Sequence, residues 1–148
     1  MTPANGTTIQ LRFSSAFDML DMVQAVSEHV GRLLRFEDDA LQWMEVAIRE
    51  SVINAIKHGN KHDPSKNVFV QFRISPTVNP EELEIRVRDQ GEGFDPEAIP
   101  DPLAPENLLK ASGRGIFFMR SFMDDVQLSR ADAGGMEVRL LKKLAPAE

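Results

Sequence analysis

"VRDQGEGFDP", residues 87–96, ends a run in which Leu83, Ile85 and Val87 alternate with polar neighbours. Alternation with a period of two marks a half-buried β-strand. One more step of the same period places Asp89 on the buried side, with the apolar residues. A carboxylate at the end of a core-facing row is costly unless it is hydrogen-bonded. Gly91 and Gly93 follow at once, and without a Cβ they permit a positive φ or the close approach of a flat ring. Two readings are open: a glycine turn capped by Asp89, or a carboxylate placed to accept the exocyclic amine of an adenine.

Upstream lies "RESVINAIKHGN", residues 49–60. Helical spacing predicts a helix from near residue 38 to 57 or 58, with Gly59 as its C-terminal cap. Glu50 and Asn54 are four apart and stack on one face of it. That face is turned away from Gln42, Glu45 and Arg49, which form the solvent side, and lines up with Trp43 and Ala47. A carboxylate there can take a proton from a hydroxyl, and an amide oxygen can ligate Mg²⁺. The plainer alternative is a hydrogen-bonded surface pair, or a bridge from Glu50 to Arg49 or Lys57.

Downstream, "SGRGIFFMRSFMDDV" (residues 112–126) sets Gly113 and Gly115 on either side of Arg114, ahead of a helix predicted over 115–123. Free N–H groups and the helix dipole favour phosphate at such a terminus, and Arg114 adds a charge-assisted donor. An ordinary flexible helix entry has the same pattern. Between Gly93 and Gly113 there is no periodicity, and Pro96, Pro100, Pro102 and Pro105 interrupt regular structure. Long aperiodic segments of this kind are functional lids or surface loops.

The remaining elements complete an α+β pattern. A strand is predicted over 7–13, then a helix over 16–34 capped by Ser15, and a strand over 67–74. Two closing strands, 125–130 and 136–143, meet at Ala133, Gly134 and Gly135. The order predicts a two-layer α/β sandwich, a mixed sheet with helices on one face. The 148 residues suit a single domain, and 42% hydrophobic content supplies a core. A net charge of −6 without a basic run argues against nucleic-acid binding. Cysteine is absent, which removes disulfide, thiolate-metal and cysteine-nucleophile chemistry. No apolar run approaches the ~20 residues of a membrane span, and the start lacks a secretion signal, so a cytoplasmic location is expected. His58 and His62 are separated by Gly59, which speaks against a metal pair, and no serine has a hydrolase elbow.

Taken in order, Glu50-x-x-x-Asn54, Asp89-x-Gly91-x-Gly93 and the glycine pair at 113 and 115 resemble the N, G1 and G2 boxes of the GHKL (Bergerat-fold) ATPases. "AIRESVINAIKHGN" and "ASGRGIFFMRSFMDDV" look like the bacterial anti-sigma-factor serine/threonine kinases within that superfamily. The resemblance runs from about residue 9 to 143. It implies ATP and Mg²⁺ as cofactors, Glu50 as general base and Asn54 as metal ligand. It further implies that Asp89 binds the adenine amine, that Gly91 and Gly93 make room for the base, and that Gly113, Arg114 and Gly115 belong to a lid over the phosphates. Many relatives have Gly-Thr entering the last strand; here Met136 takes the threonine position and, in phase with Val138 and Leu140, should point inward.

The function implied is an ATP-dependent serine/threonine kinase. An anti-anti-sigma (STAS-type) protein would be its substrate and a sigma factor its second partner; a homodimer is compatible with this. Two rivals are a non-catalytic ATP-dependent binding switch and the ATP-binding module of a two-component histidine kinase acting in trans. Retention of Glu50 and Asn54 argues against the first, and the lack of a phosphoacceptor helix against the second.

Overall fold

The computed structural model describes residues 6–91, 122–131 and 134–144. Its elements are β1 (Thr7–Ser14), α1 (Leu20–Leu33), α2 (Asp38–Asn54), β2 (Asn67–Ser75), β3 (Glu82–Arg88), β4 (Asp125–Arg130) and β5 (Met136–Lys143). The strands form one sheet in the order β1-β2-β3-β5-β4, covered by α1 and α2. The helix expected over 115–123 falls almost wholly outside the described residues.

The expected mixed sheet is corrected: among the described residues all four strand pairings are antiparallel. As expected, two helices separate β1 from β2. The short connection over 34–37 makes α1 and α2 antiparallel neighbours, so the chain returns to the end of β1 that it left. Ser14 accordingly pairs with Asn67, the last residue of β1 with the first of β2. Strands β3 and β4 do run in the same sense, since each is antiparallel to β5, but β5 lies between them. A parallel pair would have required them to be adjacent.

Ser15 does not cap α1. Its hydroxyl donates to the Lys66 carbonyl at 2.8 Å, and a 3₁₀ turn over Phe17–Met19 leads into the helix instead. A long-range partner has displaced the local cap.

Alternation decides which side of each strand is dry. Val68, Val70, Phe72 and Ile74 of β2 and Leu83, Ile85 and Val87 of β3 all point under the helices. They meet Val23 and Val30 of α1 and Met44, Ile48 and Val52 of α2. Each such side chain contributes about 1.5–3 kcal/mol on full burial. The opposite face of the sheet is polar, and no element among the described residues covers it, as an antiparallel sheet allows. There Phe69 lies in one register row between Arg12 and Arg88, whose guanidinium carbons stand 5.7 and 4.2 Å from its ring centre. Two rows further along the same face, Glu84 accepts from Arg86 and Arg139, each at 2.7 Å. Burial pushes the Glu84 carboxyl up, but the two arginines outweigh it and hold it below its ordinary value.

Phe72 is fully buried at the centre of β2. Phe72→Ala should lower unfolding stability by about 3–5 kcal/mol, measured by denaturant titration, whereas Gln71→Ala on the wet face should cost under about 1 kcal/mol.

Candidate functional site

Asp89 lies just past β3 and is 5% exposed, on the inward side that the period of two assigns to it. Its backbone N–H donates to the Met136 carbonyl at 3.0 Å. Oδ1 accepts the N–H groups of Gly91 at 2.9 Å and Met136 at 3.1 Å. Among the described residues Oδ2 has no hydrogen bond, and it faces the Gly59 backbone. The two readings of Asp89 therefore divide between its oxygens: Oδ1 caps the glycine turn, and Oδ2 is left for another donor.

Backbone crowds this carboxylate from three sides. A Cβ at Gly59 would overlap Asp89 Oδ2, one at Gly91 would overlap the Gly59 carbonyl oxygen, and one at Gly135 would overlap the Asp89 carbonyl. Gly135 also has a φ of +83°, as the turn before β5 requires. Gly59 was expected to be a helix cap, and the structure corrects this. Helix α2 passes into a π-helical turn over Ala55–Gly59, and Asn60 closes it with φ −85°. Glycine is needed at 59 for closeness to Asp89 rather than for a left-handed backbone.

That turn continues the helix carrying Glu50 and Asn54. Both side chains are half-buried, and neither makes a hydrogen bond or ion pair among the described residues. The bridges considered from Glu50 to Arg49 or Lys57 do not form. A carboxylate and an amide oxygen thus stand uncommitted, one helical turn apart, on the element whose end touches Asp89. The amide suits a hard cation such as Mg²⁺, which prefers oxygen, and the bare Oδ2 above glycine backbone suits an amine on a flat base.

Of the other residues singled out, Gly93, Gly113, Arg114 and Gly115 lie outside the described residues, as does the segment between them. Met136 is buried and inward, as expected. Its main-chain N–H and C=O both bond Asp89, so this position serves the site through its backbone. Sequence reasoning missed Asn60 and Gln90. Asn60 is 1% exposed and joins three segments by hydrogen bonds. A buried amide in a connection has no periodicity to betray it.

Burial raises the Asp89 carboxyl above its ordinary value; the Gly91 and Met136 N–H groups and the Lys66 charge oppose this only in part. An acid whose pKa is raised by folding keeps its proton longer in the folded chain, so stability falls as pH rises through that interval. Asp89→Asn keeps an oxygen for both N–H donors and removes the buried charge. The variant should melt at or above the wild-type temperature near pH 7, and this advantage should vanish towards about pH 4. Thermal melts across that range check it, and a lower melting temperature at neutral pH would contradict it.

Residues 13–142 match the histidine kinase-like ATPase domain family. The anti-sigma F factor of Heyndrickxia coagulans is 36% identical over 111 residues, 72% of each chain. The serine-protein kinase RsbW of Oceanobacillus iheyensis is 28% identical over 151 residues, covering 90% of this chain and 92% of that one. Among solved structures, the RsbU and RsbW domains of Rv1364c from Mycobacterium tuberculosis superpose with a TM-score of 0.62 at 16% identity, over 96% of this chain and 34% of that one. The mycobacterial sensor histidine kinase MprB gives 0.56 at 16% identity, over 94% and 100%. At such identities the structural likenesses speak for the fold alone. The family match spans both helices and the strands β2 to β5 with the end of β1, and with the two relatives it shows that the chain belongs to the histidine kinase-like (GHKL) ATPases, on the branch of the anti-sigma serine/threonine kinases.

Proposed function

We propose that this anti-sigma kinase is a single ATPase domain that transfers the terminal phosphoryl group of ATP to a serine or threonine of an anti-anti-sigma (STAS-type) partner, and that it also sequesters a sigma factor. The observation that carries the proposal is the pairing of uncommitted groups. Glu50, Asn54 and Asp89 Oδ2 make no hydrogen bond among the described residues, and one helix and its π-helical turn connect them.

In this reading Asp89 Oδ2 accepts the adenine amine, and Gly59 and Gly91, lacking a Cβ, let the end of the α2 element and the turn after β3 close around that carboxylate. The Asn54 amide oxygen holds Mg²⁺. Glu50, one turn earlier, receives the proton of the incoming hydroxyl and returns it to solvent afterwards. When bound, Mg·ATP supplies the phosphoryl group, and the cation neutralises charge on its oxygens. Positioning and charge neutralisation dominate such transfers, so one base and one metal ligand are an adequate set for this chain to provide. Gly93, Gly113, Arg114 and Gly115 are proposed to face the base and the phosphates on the strength of the motif pattern.

Asp89→Asn should weaken ATP binding by about 1.5–3 kcal/mol, the range for a hydrogen bond to a charged group. Calorimetric titration with ATP and with GTP measures this, and unchanged ATP affinity would reduce Asp89 to a turn cap.

Glu50→Gln keeps shape and hydrogen bonding but removes the basic oxygen. It should slow single-turnover transfer to the partner by about 10²–10⁴-fold while nucleotide affinity stays near wild type. Asn54→Ala should weaken Mg·ATP binding and turnover together. Wild-type transfer by Glu50→Gln would place the base elsewhere. No transfer by the unmutated chain to any co-purified partner would favour an ATP-dependent binding switch.

A further inference from the structure

Asn60 directly follows Gly59 and is 1% exposed. An amide buried that deeply is costly unless its polar atoms are bonded. Here they are. Nδ2 donates to Ser15 Oγ at 2.7 Å and to the Asn67 carbonyl at 2.9 Å, and Oδ1 accepts the Gln90 backbone N–H at 2.7 Å. The ring closes through the Gln90 side chain, whose Oε1 accepts the Asn67 N–H at 2.7 Å. Ser15 follows β1, Asn67 opens β2 and Gln90 follows β3, so one side chain ties three strand ends to the end of the α2 element.

Strands β1, β2 and β3 are already paired along their lengths, with the last β2–β3 pair at Phe69 and Arg88. What the bond to Gln90 adds is local. Gln90 lies beyond that last pair, between Asp89 and Gly91, and its peptide sets where the Asp89 side chain points. The room is narrow, because Gly91 packs on the Gly59 carbonyl and Oδ2 lies against Gly59 itself. Lys61 and His62, just after Asn60, both take left-handed backbone conformations, with φ +52° and +59°. Such conformations are unfavourable for residues with a Cβ. The His62 N–H bonds the Ile56 carbonyl at 2.8 Å, holding the bend that follows the inward-turned Asn60.

We infer that Asn60 is a positioning residue of the nucleotide site: it holds the Gln90 N–H, and so fixes the turn over 89–91 with Asp89 Oδ2 presented to the adenine amine. The inference rests on the adenine role proposed for Asp89. Displacements of about 1 Å in such a constellation can cost orders of magnitude in function.

The test is calorimetric titration of the full chain with ADP, which needs no protein partner. Asn60→Ala should weaken ADP binding at least tenfold. Val30→Ala, a core truncation on α1, should lower the melting temperature and leave ADP affinity unchanged. Should Asn60→Ala fail to fold, Asn60→Ser, which retains a short polar group, should still weaken binding at least fivefold. Wild-type affinity in the folded Asn60 variant overturns the inference, and so does an equal loss in Val30→Ala. Asp89→Asn run alongside separates the two levels. If it binds ADP like the wild type, the adenine reading itself fails. If it binds weakly while the Asn60 variant does not, only the positioning role fails.

Discussion

The carboxylate of Asp89 lies where three stretches of backbone meet with no room for a Cβ. Gly59 brings in the end of the α2 element, Gly91 the turn after β3, and Gly135 the turn before β5. Much of the architecture is what lets these three arrive together. The helix pair returns the chain beside β1, β2 carries it across, β3 brings it back, and β5 pairs with β3 so that Met136 faces Asp89. Desolvation works against the charge, and two N–H groups recover part of the cost. A group kept despite an unfavourable raised pKa is a common sign of function.

The two layers divide the labour. The helix-facing side of the sheet is apolar and sets stability, with Phe72, Ile85 and Leu140 fully buried. The other side carries paired charges, Glu84 with Arg86 and Arg139, and Glu137 with Arg86. Partly exposed pairs of this kind contribute modestly. Their value is in keeping polar a sheet face that no described element covers, which a two-layer sandwich requires.

Polar groups near the site fall into two sets. Asn60, Gln90, Ser15 and Asp89 Oδ1 are all engaged in holding backbone. Glu50, Asn54 and Asp89 Oδ2 make no hydrogen bond among the described residues. Groups of the first set make a rigid frame, and groups of the second are what such a frame can offer to a ligand. This separation is expected of a preorganised site, where supporting hydrogen bonds fix the orientation of functional atoms.

Much of this was determined by sequence alone. Period-two rows at 68–74 and 83–87 specify strands and their dry side, because side chains alternate across a pleat. The i, i+4 spacing of Glu50 and Asn54 puts them on one helical face, and the order of the three motifs points to the family. These are local regularities, visible one element at a time. Tertiary structure decided the rest. It inserted β5 between β3 and β4, so that the sheet expected to be mixed is antiparallel in each described pairing. It drew Ser15 from helix capping to the Lys66 carbonyl. It made Gly59 a contact for Asp89 rather than a left-handed cap, and it enlisted Asn60 to hold Gln90. Each of these depends on which distant backbone arrives within hydrogen-bond or van der Waals distance, and spacing along a chain carries no record of that.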